Sequence, residues 1–225
     1  MAASAIRPQA ASATLLERRP LMQRRRARRQ VEQFLFDLDG TITQREILPA
    51  IARAIGLEDE MTALTRQTMD GELPFESSLR RRAEILKAVP VSRVRSIIAD
   101  VPLDPVILEF LAANRERCTI VTGNLDVWIA DLVAHLGVAC RCSVARAEGD
   151  RLVELVSVLD KATVAREFHG PICAIGDGYN DLGLIAAADI GIAYGGVHAP
   201  APGLIDVATH LIHDPKRLCQ LLSAW

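Results

Sequence analysis

The sequence predicts an α/β fold in which a parallel sheet is interrupted, after its first strand, by an inserted helical subdomain. From residue 105 onward, short apolar runs typical of buried strands alternate with helical segments. Such alternation gives parallel strands joined by right-handed crossovers. Between the first apolar run and residue 105 the periodicity is helical, and no strand pattern interrupts it. Polar residues and glycines follow several strand runs, which places a ligand site beyond the carboxyl ends of the strands.

These patterns divide the chain into three parts. Residues 31–42 and 105–225 are predicted to form the α/β core, and residues 43–104 the inserted helical cap. Residues 1–30 are predicted to be a disordered basic tail, because they are rich in Ala, Ser and Arg and lack helical apolar periodicity.

The predicted strands are short apolar runs bounded by turn or helix signals, at residues 33–38, 118–122, 138–144, 172–175 and 190–194. In the insertion, Pro49 suits the first turn of a helix that Gly56 ends. The three helices that follow it in the insertion are predicted at residues 60–69, 75–87 and 92–100.

Capping residues locate the helices of the core. Asp104 and Pro105 are a good N-cap and first-position pair for a helix that reaches Asn114. Asn124 is predicted to cap a helix over 125–136, and Asp160 a helix that continues to Phe168. Two further helices are predicted at residues 181–188 and 215–222.

Composition limits the class of protein. Half of the 225 residues are hydrophobic, enough for a sizeable core, and no apolar run approaches the roughly 20 residues that span a bilayer. The net charge is +7 in residues 1–30 and −9 in residues 31–225, so the predicted folded part is acidic. The five scattered cysteines have no zinc-ligand spacing, and we interpret them as reduced thiols of a cytoplasmic protein.

The basic tail leaves three interpretations open. It is Arg-rich, Ser-rich and acid-poor, as an organelle-targeting peptide is. A start codon assigned too far upstream explains it equally well, because Met22 stands just before the basic run. A nucleic-acid-binding arm is the least favoured, because no aromatic residues interleave with the arginines. A secretory signal peptide is disfavoured, since the tail has no apolar core segment.

The first predicted strand ends in Asp37-Leu-Asp39-Gly-Thr, two carboxylates on the same side of the backbone. At about 4 Å and an effective dielectric near 20, their repulsion is on the order of 4 kcal/mol. A bound cation or a proton on one carboxylate would offset it. An ordinary Asp-Gly turn after a strand is the alternative.

Three more chemical features follow later strands. Thr122-Gly123-Asn124 offers a hydroxyl and free N–H groups at a predicted helix start, which suits an anion. Lys161 stands in the first turn of its helix, and Asp177 and Asp181 lie in a glycine-rich turn around Asn180. Each feature alone is common, but their joint occurrence in this order on an α/β pattern indicates an active site.

In combination, the Asp-x-Asp-Gly-Thr, Thr-Gly, Lys and Gly-Asp-Gly-x-Asn-Asp motifs resemble those of the haloacid dehalogenase superfamily of phosphatases. The resemblance covers about residues 33–225 and implies a Rossmann-like core with a cap. The second aspartate of the pair favours a phosphatase over a dehalogenase.

The resemblance also implies roles for the site residues. Asp37 would be the nucleophile that forms an aspartyl phosphate, and Asp39 the general acid and then base. Mg²⁺ would be held by the Asp37 carboxylate, the Asp39 main-chain carbonyl and Asp177. Asp181 would orient Lys161 or a metal-bound water. The remaining expectations are that Thr122 and the N–H of Gly123 hold phosphate oxygens, Lys161 offsets charge repulsion, and Asn180 contacts phosphate or substrate.

The helical insertion resembles the cap of the phosphoserine phosphatase group in Glu46, Met69, Gly71, Pro74, Phe75 and Arg82. Arg82 shares a helix stripe with Phe75 and Leu79, so it should face inward and need an anionic partner. A substrate carboxylate would serve Arg82, and Glu46, in the linker before the first cap helix, would take an ammonium group. Met69 and Phe75 would line the substrate pocket. An exposed linker acid is the alternative for Glu46.

The departure from this group is Thr122-Gly123-Asn124 where Ser-Gly-Gly is usual, which bears on the substrate more than on phosphatase activity. The expected function is a Mg²⁺-dependent phosphomonoester hydrolase with a small-molecule substrate, phosphoserine first, and hence a place in serine biosynthesis. The alternatives are a phosphatase or phosphotransferase for another small phosphomonoester. A phospho-acceptor signalling module explains neither Asp39 nor the cap. Neither a membrane nor a nucleic-acid partner is expected.

Overall fold

A computed structural model describes residues 30–69 and 72–225. The described residues form seven strands: β1 (Gln33–Phe36), β2 (Cys118–Leu125), β3 (Ala139–Glu148), β4 (Arg151–Ser157), β5 (Ile172–Gly176), β6 (Ile190–Tyr194) and β7 (His210–Ile212). The helices are α1 (Ile47–Ile55), α2 (Glu58–Met69), α3 (Phe75–Leu86), α4 (Val91–Ala99), α5 (Pro105–Ala113), α6 (Asp126–Leu136), α7 (Lys161–Ala165), α8 (Leu182–Ala187), α9 (Pro202–Val207) and α10 (Pro215–Leu222).

All seven strands belong to one sheet, in the order β4-β3-β2-β1-β5-β6-β7. Every neighbouring pair except β3 and β4 is parallel. The central strand β1 is flanked by β2 and β5, and Phe36 stands in register with Ile120 and Ile175. The carboxyl ends of these three strands therefore open at one edge of the sheet, where the predicted motifs meet. The predicted α/β class with a parallel core is confirmed.

The central strand β1 is buried on both faces of the sheet. Phe34, Leu35 and Phe36 have no exposed surface, as expected for a central strand of a parallel sheet covered by helices. Phe34 meets Phe110 of α5 edge to face, with 5.3 Å between the ring centroids. Burying an aromatic side chain of this size contributes about 2–3 kcal/mol.

Helices α1 to α4 lie between β1 and α5 in the chain, as predicted for the insertion. The chain leaves the core and returns to it side by side. Thr43 bridges Leu103 in an antiparallel pair. The N–H of Gln44 donates to the Pro102 carbonyl at 2.8 Å. This crossing lies next to the predicted boundaries at residues 43 and 104, and the division into core and cap itself stays a prediction.

The largest difference from the sequence prediction is an antiparallel hairpin of β3 and β4. We predicted one strand over 138–144 and no strand between it and the helix capped by Asp160, but β3 continues to Glu148 and turns through Gly149 (φ +57°) into β4. In β3 the exposed residues are separated by half-buried or buried ones, and in β4 only Leu152 and Leu155 are buried. No continuous apolar run marks the hairpin, which is why the run-based prediction missed β4. Strand β7 and helix α9 were missed as well.

Other predicted boundaries need correction. Strand β2 extends to Leu125, so Asn124 belongs to the strand and does not cap α6. Helix α1 begins at Ile47 and Glu46 is its N-cap residue, not part of a linker. The helix after Asp160 ends at Ala165, three residues earlier than predicted. Strand β6 and helix α10 have the predicted bounds.

Two predictions fall outside the described residues. The basic tail lies in residues 1–29 apart from its last position, and Gly71 of the cap motif is not described. In residues 30–69 and 72–225, no helix is long and apolar enough to cross a membrane.

The cap of α5 allows a stability test. An oxygen of Asp104 accepts the N–H groups of Val106 at 2.9 Å and Ile107 at 3.1 Å. Asp104→Ala should lower the free energy of unfolding by about 1 kcal/mol, because these N–H groups lose their acceptor. Urea unfolding measures the change. Asp100→Ala, at an exposed position, is the matched control, and an equal loss in both variants would contradict the capping role.

Candidate active site

The site is built around a buried lysine between two carboxylates. Asp37 follows β1, and Lys161 is the first residue of α7. The ammonium nitrogen of Lys161 lies 2.5 Å from Asp37 Oδ1 and 2.5 Å from Asp181 Oδ1. All three side chains are buried. Asp160 accepts the N–H of Ala162 at 3.0 Å and so caps α7, which fixes where Lys161 starts.

Burial and charge act against each other at these groups. Burial raises the pKa of Asp37 well above its ordinary value, the Asp181 carboxylate adds to the rise, and Lys161 opposes it. For Lys161, burial disfavours the charged form, but the Asp181 and Asp37 carboxylates outweigh it and raise its pKa. The lysine therefore stays an ammonium ion, which supplies fixed positive charge beside Asp37.

The loop after β5 is organised by Asp181. Its Oδ2 accepts hydrogen bonds from the N–H of Asp177 at 3.1 Å and the N–H of Gly178 at 3.0 Å, while its Oδ1 accepts one from the Lys161 ammonium group. A Cβ on Gly176 would collide with the Asp181 side chain, so glycine is needed there. Because both oxygens of Asp181 already accept protein donors, its position indicates a role in orienting Lys161 and this loop.

Three carboxylates converge on one point. One oxygen from each of Asp37, Asp177 and Asp181 can be chosen so that all three lie within 4.8 Å of one another. Burial raises the pKa of Asp177, with Asp181 adding to the rise and His198 opposing it. Oxygen atoms are the ligands that Mg²⁺ prefers, and Lys161 and His198 together carry fewer positive charges than the three carboxylates carry negative ones. The donor set therefore fits a magnesium ion.

Asp39 is held by donors from both parts of the protein. Its Oδ1 accepts the N–H of Ile47, the first residue of α1, at 2.7 Å. Its Oδ2 accepts the side-chain amide of Asn124. Burial, followed by the nearby Glu46 carboxylate, raises the pKa of Asp39 to about 7, against the lowering effect of these hydrogen bonds.

Thr122, Gly123 and Asn124 form the end of β2. The hydroxyl of Thr122 accepts the main-chain N–H of Asn124 at 3.2 Å and its side-chain amide at 3.0 Å. The ring of Phe75, at the start of α3, lies against Gly123, where an added Cβ would come within 2.5 Å of Phe75 Cζ. Two predicted substrate-binding residues, one from the insertion and one from the core, are thus in contact.

Arg82 faces inward, as its helix stripe predicted. It is 8% exposed, and its Nη2 donates to the Thr65 hydroxyl at 3.0 Å. Its Nε has no partner among the described residues. Burial lowers the pKa of Arg82, and the carboxylates of Glu46 and Asp39 oppose this. A buried guanidinium with an unused donor is suited to binding an anion.

Glu46 has a partner that the sequence did not indicate. Nε2 of His198, in the loop after β6, lies 2.9 Å from Glu46 Oε1 and 2.9 Å from Asp177 Oδ2. Hydrogen bonds to Asp177 and Glu46 raise the pKa of His198 to about 10. A single histidine 152 residues from Glu46 carries no local signal, so sequence reasoning could not have found this contact.

Two predicted site residues are not placed at this centre. Asn180 is exposed, and its side-chain oxygen lies over Gly178. Met69 is the last residue of α2, and the structure does not describe its side chain. Their predicted substrate contacts stay predictions.

Comparisons with known proteins agree with this geometry. A family model described as haloacid dehalogenase-like hydrolase matches residues 34–186. A phosphoserine phosphatase of Vibrio cholerae is 33% identical over 176 residues, which are 71% of this chain and 54% of that protein. One from Halobacterium salinarum is 30% identical over 209 residues, 84% of this chain and 95% of that protein. The chain therefore belongs to the haloacid dehalogenase-like hydrolase family, among its phosphoserine phosphatase-like phosphatases.

Solved structures support the same placement. One described as a phospho-aspartyl intermediate analogue of phosphoserine phosphatase superposes with a TM-score of 0.72 and 25% identity, over 85% of this chain and 99% of that one. Relatives differ in length. The matched region is little more than half of the Vibrio protein, but nearly all of the Halobacterium one.

The contact between Gly123 and Phe75 can be tested by stability. Gly123→Ala should destabilise the protein by about 1–3 kcal/mol, because the new Cβ displaces the Phe75 ring. Chemical unfolding measures the loss. In a Phe75→Ala background the same change should cost less, and additive losses would contradict the contact. Gly203→Ala is the control, since its Cβ would make ordinary contacts at 3.4 Å.

Proposed function

We propose that the chain is a Mg²⁺-dependent phosphomonoester hydrolase that works through an aspartyl phosphate on Asp37. Its proposed substrate is a small amino-acid-like phosphate, phosphoserine first. The observation that carries the proposal is the Asp37 carboxylate, buried at the end of β1 with Lys161 at 2.5 Å and Asp39 two residues along the chain. A nucleophile, a fixed positive charge and a second carboxyl group are what phosphoryl transfer to a side chain requires.

In the first step, an Asp37 oxygen bonds to phosphorus while the bond from phosphorus to the substrate oxygen breaks. Asp39 gives its proton to the departing oxygen. In the second step, Asp39 takes a proton from water as the water oxygen attacks phosphorus. Inorganic phosphate leaves, and the Asp37 carboxylate is restored.

The other core residues hold the phosphoryl group. Lys161, the Thr122 hydroxyl and the Gly123 N–H would bind its oxygens. Asp37, Asp177 and the main-chain carbonyl of Asp39 would hold Mg²⁺, which supplies positive charge toward the phosphate when bound. Asp181 orients Lys161 and the loop of Asp177, and would reach the ion through water.

The insertion would select the substrate. The unused Nε of buried Arg82 supports binding of a substrate carboxylate, and Phe75 and Met69 would line the pocket. Glu46 would take an ammonium group. Both relatives reported above are named phosphoserine phosphatases, which supports the same substrate and a place in serine biosynthesis.

A second candidate substrate class is favoured by one contact. Because Glu46 already pairs with His198, a small phosphomonoester with a carboxylate but no ammonium group would fit the same site. Transfer of the phosphoryl group to another small alcohol is the corresponding phosphotransferase alternative.

The five cysteines are free, which supports a reducing compartment such as the cytoplasm.

Phosphate release from a panel of substrates tests the proposal. With Mg²⁺ present, phosphoserine should be hydrolysed faster than a sugar phosphate or a nucleoside monophosphate, and EDTA should abolish release. Asp37→Asn should fold but lose at least about 1,000-fold in kcat, because an amide is a poor nucleophile. Full activity of folded Asp37→Asn would exclude the aspartyl-phosphate route.

Substrate selection by Arg82 gives a separate prediction. Arg82→Ala should raise KM for phosphoserine by about 10- to 100-fold, because the substrate carboxylate loses a charged hydrogen-bond donor. KM for p-nitrophenyl phosphate, which has no carboxylate, should stay nearly unchanged. Arg80→Ala is the matched control, since Arg80 pairs with Glu76 at the surface. Equal losses on both substrates would show that Arg82 is structural.

A further inference from the structure

Asn124 lies at the meeting point of two groups that the proposed reaction uses. It is 5% exposed, and it is the second-to-last residue of β2, which ends at Leu125. Its side-chain nitrogen donates to Asp39 Oδ2 and to Thr122 Oγ1, the latter at 3.0 Å. Both hydrogens of this amide are therefore used inside the site.

The orientation of the amide is fixed by its neighbour. The structure places the nitrogen of the Asn124 amide, and not its oxygen, against Asp39 Oδ2, and a carboxyl oxygen can accept this hydrogen bond whether the group is ionised or protonated. The other oxygen of Asp39 accepts the N–H of Ile47 at 2.7 Å. Asp39 is thereby held from the core by Asn124 and from the insertion by α1, and without Asn124 one of these two restraints is lost.

The same side chain also sets the Thr122 hydroxyl. A hydroxyl has two acceptor positions and one proton. The main-chain N–H of Asn124 at 3.2 Å and its side-chain amide at 3.0 Å fill both acceptor positions. The hydroxyl proton is then left for another acceptor, and a phosphate oxygen is the acceptor that the proposed reaction would bring.

We propose that Asn124 is a positioning residue that holds Asp39 in line to protonate the departing oxygen and turns the Thr122 hydroxyl toward the phosphoryl group. This inference rests on the proposed function. During transfer, the phosphorus–oxygen bond to the alcohol breaks, the bond to Asp37 forms, and the Asp39 proton moves to the alcohol oxygen. Asn124 takes no part in these bonds and acts through Asp39 and Thr122.

Leaving-group dependence separates this role from a structural one. The serine oxygen of phosphoserine is a poor leaving group and needs the proton of Asp39, whereas nitrophenolate departs without one. The constant kcat/KM reports only the steps up to transfer onto Asp37, so the later hydrolysis does not enter. A misplaced Asp39 therefore lowers kcat/KM for phosphoserine far more than for p-nitrophenyl phosphate.

The experiment compares Asn124→Ala with wild type on both substrates, with Mg²⁺ present. We expect kcat/KM for phosphoserine to fall by about 10- to 100-fold more than for the aryl phosphate. In an Asp39→Asn background, adding Asn124→Ala should change the ratio of the two constants by less than about threefold. Asn114→Ala is the matched control, because it removes a side-chain amide bond to the Phe110 carbonyl, outside the site.

The outcomes are distinct. Equal losses on both substrates, no loss, or an undiminished effect in the Asp39→Asn background would overturn the positioning role. If wild type hydrolyses neither ester, the proposed function fails instead. Should Asn124→Ala not fold, as judged by circular dichroism, Asn124→Ser is measured in the same way, and the same ratio decides.

Discussion

The rest of the site depends on the ammonium group of Lys161, which is buried between Asp37 and Asp181. A buried charge without a partner is costly, so strands β1 and β5 and helix α7, which position these residues, must meet in one arrangement. Asp37 comes from the centre of the sheet, Lys161 from the start of α7, and Asp181 from the loop after β5. Loss of the Lys161 charge would leave two buried carboxylates without a cation between them, which ties the fold to the site.

The insertion contacts two groups of the proposed active site directly, the Asp39 carboxyl group and the end of β2. The first N–H of α1 binds Asp39, and Phe75 of α3 lies against Gly123. A movement of the insertion would therefore change the hydrogen bonding of Asp39 and uncover the end of β2 together. The position of the insertion and the hydrogen bonding of Asp39 are therefore coupled.

Local sequence predicted what local sequence encodes. Strand β6 and helix α10 have their predicted bounds because an apolar run or an Asp-Pro start marks them, and the motif residues at strand ends could be placed once the sheet was known to be parallel. The hairpin of β3 and β4 was missed because its faces are only partly buried, and Asn124 was assigned to a helix cap because its true partner, Asp39, is 85 residues away. His198 was missed for the same reason: no pattern around it indicates Glu46 or Asp177.

Arg82 and Glu46 differ in a way that bears on substrate choice. An unused donor on a buried guanidinium costs about 1–3 kcal/mol in the free protein, and an incoming anion would remove that cost, so Arg82 favours a carboxylate before any other contact forms. Glu46 carries no such cost, because its carboxylate already pairs with His198. An ammonium group must therefore displace or share an existing partner, whereas a carboxylate meets a vacant donor. On the proposed function, Arg82 would therefore bind the acid end of the substrate more strongly than Glu46 binds the amine end.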